Sequence, residues 1–193
     1  MGDGIAGVLF NARQQIHVDF TGKNAHAGGN PWEGINALDA LVAAYNNVSV
    51  LRQQILPDER IHCAFLDTPK VANVIPSHTK AYWQVRSPKL PGLNALVARV
   101  RNCIDAAALA TGCQVDMVEY VLLLLLLHHH THDANCSRDS LYTDVKLNET
   151  LCAQYQGHMA RYDRNVLQSV DQVMTASSDI GLSHHSTPLV GNG

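Results

Sequence analysis

Three residues carry the chemistry that can be read first. His26 lies within Gly22-Lys23-Asn24-Ala25-His26-Ala27-Gly28-Gly29. An imidazole on such a glycine-rich turn can reach beyond its own sheet and donate a hydrogen bond or a charge to a ligand oxygen. The plainer alternative is a histidine on a surface loop. Asn73 and Arg86 flank one predicted strand. A guanidinium is the natural bidentate partner of a carboxylate, and a side-chain amide can hold a further oxygen. The plainer alternative is a turn asparagine and a solvated strand-end arginine.

Other histidines are weaker candidates. His128, His129, His130 and His132 could chelate a transition metal, but a flexible tract with no carboxylate or thiol at metal-site spacing binds ions adventitiously. His184 and His185 have no ordered scaffold around them, and no ligand role is expected. Cys103 and Cys152 fall on helical faces and read as core or boundary residues. The sequence has no GxGxxG, GxxxxGK[ST], HExxH or GxSxG, and no paired-carboxylate motif.

The elements that position these residues follow from periodicity. Ile16, Val18 and Phe20 alternate with His17 and Asp19, the pattern of a half-buried strand. Asn30-Pro31-Trp32-Glu33 predicts a helix start with Asn30 as cap, continuing through Ile35, Leu38, Leu41, Val42 and Tyr45 to about Gln53. Ile61, Cys63 and Phe65 predict a second strand. Thr79, Ala81, Trp83 and Val85 predict a third, with Arg86 at the end of its polar face. Leu93, Leu96, Val97, Val100, Ile104 and Ala107 stripe a second helix that Gly112 stops, and 114–119 reads as a fourth strand.

Strand–helix–strand–strand–helix–strand is a split βαβ order. The predicted fold class is therefore α+β, a four-stranded antiparallel sheet with two helices on one face over residues 14–120. Residues 121–141, with the leucine run followed by histidines, read as a low-complexity insertion. Residues 142–193 return to helical spacing from Asn148 to about Val173 (Leu151, Tyr155, His158, Met159, Tyr162) and then to a Ser-, Gly- and His-rich tail.

Composition narrows the function classes. A net charge of −3 gives no electrostatic reason to expect nucleic acid or an anionic membrane as partner. The longest apolar run, 121–127, is far too short to span a bilayer. No basic n-region precedes an apolar stretch at the N-terminus, so no secretory signal is expected. Five scattered cysteines without a CxxC suit reduced thiols, and a cytoplasmic protein is expected.

Gly22 to Gly28, followed by Pro31-Trp32-Glu33-Gly34-Ile35-Asn36-Ala37-Leu38-Asp39-Ala40, resembles the zinc-dependent aminoacylase/glutamate carboxypeptidase metallopeptidases. The branch it looks like is that of the aminobenzoyl-glutamate hydrolase-like amidohydrolases and the animal β-alanyl-lysine-type dipeptidases. Asn73-Val74-Ile75-Pro76-Ser77, Gln84-Val85-Arg86-Ser87 and 106–113 continue the likeness in order, and it resumes weakly from Tyr142 and at 177–181. The resemblance implies a two-domain parent, with a catalytic domain holding two zinc ions and a lid that mediates dimerisation. Residues 16–119 look like that lid. It further implies that His26 reaches into a partner subunit's active site to steady the developing oxyanion, and that Asn73 and Arg86 contact substrate, the arginine holding its carboxylate.

Such parents carry their HxD ligand, bridging aspartate and Glu-Glu pair ahead of the lid, and a last zinc histidine beyond the segment that 178–181 resembles. This chain shows no counterpart of these residues. It is therefore expected to bind no zinc of its own, to be inactive alone, and to form a homodimer or pair with a full-length relative. The parent substrate would be a dipeptide or N-acyl amino acid. Two alternatives stay open. One is a working hydrolase with ligands drawn from His128–His132, Asp179 or His184. The other is a non-catalytic module binding carboxylates through Arg86.

Overall fold

A computed structural model describes residues 3–118, 141–169 and 176–178. The leucine–histidine stretch at 121–140, Asp179, His184 and His185 lie outside the described residues. The strands are β1 (Gly4–Gly7), β2 (Ala12–Thr21), β3 (Ala25–His26), β4 (Arg60–Asp67), β5 (Val74–Ile75), β6 (His78–Ser87), β7 (Gln114–Val118) and β8 (Val166–Ser169). The α-helices are α1 (Ala37–Leu51), α2 (Leu90–Thr111) and α3 (Glu149–Ala160).

Four strands form one sheet in the order β4-β6-β2-β7, with every neighbouring pair antiparallel. Because β6 pairs antiparallel with both β2 and β4, β2 and β4 are themselves parallel, and α1 carries the chain between them. The same holds for β6 and β7 with α2. This is the split βαβ arrangement expected from the element order. Ile16, Val18 and Phe20 on β2 and Ala81, Trp83 and Val85 on β6 are buried against Leu41, Ala44 and Val48 of α1 and Leu96, Val100 and Ile104 of α2. Both helices thus cover one face, and the alternate residues of each strand project from the other.

The first helix differs from expectation. Pro31–Glu33 forms a single 3-10 turn, and the Asn30 side chain donates to the Glu33 carboxylate at 2.6 Å rather than capping backbone. The reason lies in tertiary pairing: Ile35 exchanges both backbone hydrogen bonds with Lys23, at 2.8 and 2.9 Å, which holds the chain extended there. Gly22 permits this crossing, since a Cβ on it would lie 2.1 Å from the Ile35 carbonyl oxygen. Helix α1 begins only at Ala37, with Asn36 Oδ1 accepting from the Leu38 N–H at 2.9 Å. Its buried stripe is Ala37, Ala40, Leu41, Ala44 and Val48, so Val42 and Tyr45, expected inside, are exposed. On β4 only Ile61 is fully buried, and Phe65 is exposed as well.

Helix α2 keeps its predicted stripe and ends on Gly112, whose φ of 74° is left-handed. Helix α3 is capped by Asn148 but stops at Ala160, well short of Val173, and β8 follows. β8 pairs in parallel with β1, an element the sequence did not announce. Cys152 is buried where α3 packs on β1; a Cβ on Gly7 would lie 2.9 Å from its sulfur. The segment between the two units is tied down. Tyr142 exchanges backbone hydrogen bonds with Arg13, at 2.7 and 2.8 Å, and Asp144 caps α2 by accepting from the Leu90 N–H at 3.0 Å. No helix among the described residues is long and apolar enough to cross a membrane.

Candidate functional site

The β2/β6 pair extends past its own end into a small ribbon. Beyond Thr21↔His78, the Gly22 N–H donates to the Ser77 carbonyl at 2.7 Å, and β3 then pairs with β5 through Ala25↔Ile75 and His26↔Val74. The Ala27 N–H donates to the Asn73 carbonyl at 3.0 Å, so Asn73 and His26 share the outer part of this ribbon. Ser77 N–H is held by the Asn24 side-chain oxygen at 2.8 Å, which braces the base of the ribbon.

His26 is exposed, and its Nδ1 accepts from the Gly28 N–H at 3.2 Å. A ring nitrogen that accepts leaves the proton of the neutral imidazole on Nε2, so a donor points outward. The following glycines leave room for the ring: a Cβ on Gly29 would come within 3.3 Å of Nδ1. The side chain is therefore held by a hydrogen bond within its own loop. Trp32, on the 3-10 turn of the same loop, is 78% exposed.

Arg86 sits elsewhere. It lies on β6 next to the buried Ser87, half-buried, on the face away from the helices. It lies eight residue steps of extended strand from His78, roughly 27 Å at the usual rise, and the ribbon starts beyond the His78 end. A fully extended dipeptide spans about 7 Å. The structure thus brings His26 and Asn73 together and sets Arg86 apart, so no one ligand of that size touches all three within one protomer. Burial, and then the like charge of Arg13, hold the Arg86 guanidinium below its ordinary value. Arg13 was not singled out by the sequence. The predicted strand begins at Ile16, and the partner of Arg13 across the sheet is known only from register.

A shallow cleft of about 330 Å³ beside the ribbon is lined by Asn24, Asp67, Lys70, Val74 and His78 among others, and neither His26 nor Arg86 contributes to it. Among the described residues no three His, Cys, Asp or Glu side chains gather in a group that could hold a metal ion. The zinc implied by the resemblance has no fit among them. Cys63 and Cys103 are half-buried thiols; burial, only partly offset by Arg52, pushes Cys63 up to about 12, far from a reactive thiolate.

On the outer side of the sheet β4 is an edge strand among the described residues. Phe65 on it meets Tyr45 of α1 edge-on, ring centroids 5.9 Å apart, and Val42, Val50 and Leu66 are exposed on the same two elements. An edge strand flanked by apolar side chains is a ready template for another chain. Residues 13–111 match the sequence profile of the peptidase dimerisation domain.

The chain belongs to this family.

The match to the peptidase dimerisation domain runs from β2 to the end of α2 and stops short of β7. Along the sequence, the chain is 39% identical over 144 residues to the Xaa-Arg dipeptidase of Mus musculus, covering 75% of this chain and 29% of that protein. It is 42% identical over 106 residues to the Xaa-Arg dipeptidase of Homo sapiens, covering 55% of this chain and 24% of that one. The chain thus spans between 24% and 29% of the length of these curated relatives. In three dimensions it resembles the aminobenzoyl-glutamate utilization protein of Klebsiella pneumoniae, with a TM-score of 0.65 and 18% identity, over 93% of this chain and 43% of that one. That likeness concerns the fold. The family expected from Gly22 to Ala40, and the four-stranded sheet with its two helices, are those the chain has.

Proposed function

We propose that this chain acts as the self-associating lid of a metal-dependent amide hydrolase, and that by itself it does not hydrolyse amides. The observation that carries the reading is the apolar edge formed by Tyr45, Phe65 and Leu66 beside β4, whose outer ladder is unpaired among the described residues. Two copies meeting there would join their sheets and cover these side chains, which is what a dimerisation domain must do. The partner is a second copy of the chain or a full-length relative with the same edge.

The separation of His26 and Asn73 from Arg86 fits an arrangement in which two protomers share a site. In this reading His26 presents its Nε2–H to the carbonyl oxygen of a substrate held by the other subunit, Asn73 assists from the same ribbon, and Arg86 holds the substrate carboxylate. A donor aimed at a developing oxyanion lowers a barrier only where a nucleophile is also supplied. Residues 14–120 form the lid, and β1, α3 and β8 belong with the catalytic domain. The two dipeptidase relatives point to a dipeptide or N-acyl amino acid with a free carboxylate as the parent substrate. A cytoplasmic location completes the reading, supported by the free thiols of Cys63, Cys103, Cys113 and Cys152.

Two measurements on the full chain test this. Light scattering behind size-exclusion chromatography should give the mass of two chains, or of a mixed pair when a full-length relative is added. Incubation with saturating zinc and an alanyl-arginine dipeptide should give no turnover above the metal alone. Turnover abolished by His26→Ala would overturn the statement that the chain is inactive by itself.

A further inference from the structure

Trp32 is the one large apolar side chain between Gly22 and Gly34, where its neighbours are glycines, alanines, asparagines, a proline and charged or polar residues. It is 78% exposed, whereas Trp83, the other tryptophan of the chain, is fully buried in the core. We propose that Trp32 anchors the His26 loop on the other subunit, its indole seated in an apolar recess of that subunit's catalytic domain. This rests on the reading of His26 as a donor acting across the subunit interface, and it adds the residue that holds the loop there.

The loop carries both side chains as one body. The Gly29 and Asn30 N–H groups donate to the His26 carbonyl at 3.2 Å each. The Glu33 and Gly34 N–H groups close the turn on the carbonyls of Asn30 and Pro31 at 3.1 Å, and the Asn30 amide ties down the Glu33 carboxylate. Gly34 lets the turn sit directly on the ribbon, since a Cβ there would lie 2.9 Å from Ala25 Cβ and 3.0 Å from Ile75 Cγ2. The Lys23–Ile35 ladder clamps the two ends together. Wherever His26 is delivered, Trp32 is delivered with it.

A side chain on a frame that is already ordered loses little further freedom when it is buried by a partner. Interfaces draw most of their binding energy from a few such anchors, tryptophan foremost among them. The occupant is protein and not substrate. An indole brings about 200 Å² of largely apolar surface, more than a dipeptide already held at its carbonyl and carboxylate can cover. A recess that accepts it must be apolar, with a carbonyl or carboxylate oxygen placed to accept the indole N–H. A full-length relative supplies the catalytic domain that can carry such a recess.

The test labels the full chain with 5-fluorotryptophan. Its two tryptophans give two fluorine signals, and the one missing from Trp32→Phe belongs to Trp32. Unlabelled full-length Xaa-Arg dipeptidase is then added, with pairing followed by light scattering. The Trp32 signal should shift as the mixed pair forms, while that of Trp83 stays in place. Trp32→Ala should weaken pairing about tenfold with an unchanged urea midpoint, and Trp32→Phe should keep part of the affinity. A mixed pair with an unmoved Trp32 signal, or pairing as tight in Trp32→Ala as in the native chain, would overturn the anchor and leave the lid reading intact. Absence of any mixed pair would overturn the anchor together with the reading of His26 as acting in another subunit. A Trp32 signal moved by alanyl-arginine alone would overturn it in favour of a substrate contact. Should Trp32→Ala fail to fold, the fluorine shift of the native chain decides by itself.

Discussion

The Gly28 backbone N–H donates to His26 Nδ1 across 3.2 Å, and this short loop contact decides which end of the imidazole faces outward. The neutral ring should carry its proton on Nε2. Nitrogen chemical shifts of the histidine, measured at alkaline pH, should show that tautomer, and Gly28→Pro, which removes the donor, should abolish the preference. A native ring protonated mainly on Nδ1 would contradict the assignment. Because His26 is exposed, His26→Ala should change stability by no more than about 0.5 kcal/mol.

Gly112 ends α2 with a φ of 74° and has nothing near the position where a Cβ would go. The cost of Gly112→Ala is therefore conformational and not steric. It should destabilise the chain by about 1 kcal/mol, read as a shift in the urea midpoint at constant slope. A neutral or stabilising result would mean that α2 ends differently in solution.

Asp144 links the 141–147 segment to α2, accepting from the Leu90 N–H and from Lys89 Nζ at 3.2 Å. Burial alone would raise its carboxyl, but the Leu90 N–H and the Lys89 ammonium outweigh it and hold it below its ordinary 3.8. A depressed carboxylate contributes stability that is present above its unfolded value and is lost as pH falls through its folded one. Acid titration should therefore show stability declining below about pH 4. Asp144→Asn should reduce both the stability at neutral pH and the size of that decline. An unchanged acid limb would contradict the cap.

Cys63 stands on the edge strand with its thiol pushed up to about 12 by burial, against a partial offset from Arg52. Alkylation by iodoacetamide at pH 8, resolved by peptide mass spectrometry, should be slow at Cys63 compared with a free cysteine peptide. Rapid labelling would show that β4 frays, since the thiolate and not the thiol reacts.

Much of the fold was legible because it rests on local periodicity. The strict alternation of Thr79 to Arg86 and the stripe from Leu93 to Ala107 each occur as predicted, and Gly112 supplies the stop. What escaped is pairing between distant segments. The Asn30-Pro31-Glu33 pattern is a sound local helix signal, yet the Lys23–Ile35 ladder overrides it and delays α1 to Ala37. The alanines of α1 pack inward where larger Val42 and Tyr45 seemed the better core residues. The apolar residues left outside on α1 and β4 then have a use that a single chain does not reveal. β1 and β8 lie near opposite ends of the described chain, and no short window shows their pairing. His26 and Asn73 could be named from motif likeness, but that they share a ribbon, and that Arg86 stands with Arg13 instead, follows only from register.

Sedimentation equilibrium of the native chain and of Phe65→Asp, over a range up to high micromolar, tests the central claim most directly. Phe65 is 45% exposed, so the change should spare the fold while placing a charge on the apolar edge beside Tyr45. The account predicts a reversible two-chain species for the native protein and association weakened at least about tenfold, or about 1.4 kcal/mol, in the variant. A native chain that stays monomeric throughout, or a variant that associates as strongly as the native one, would contradict it.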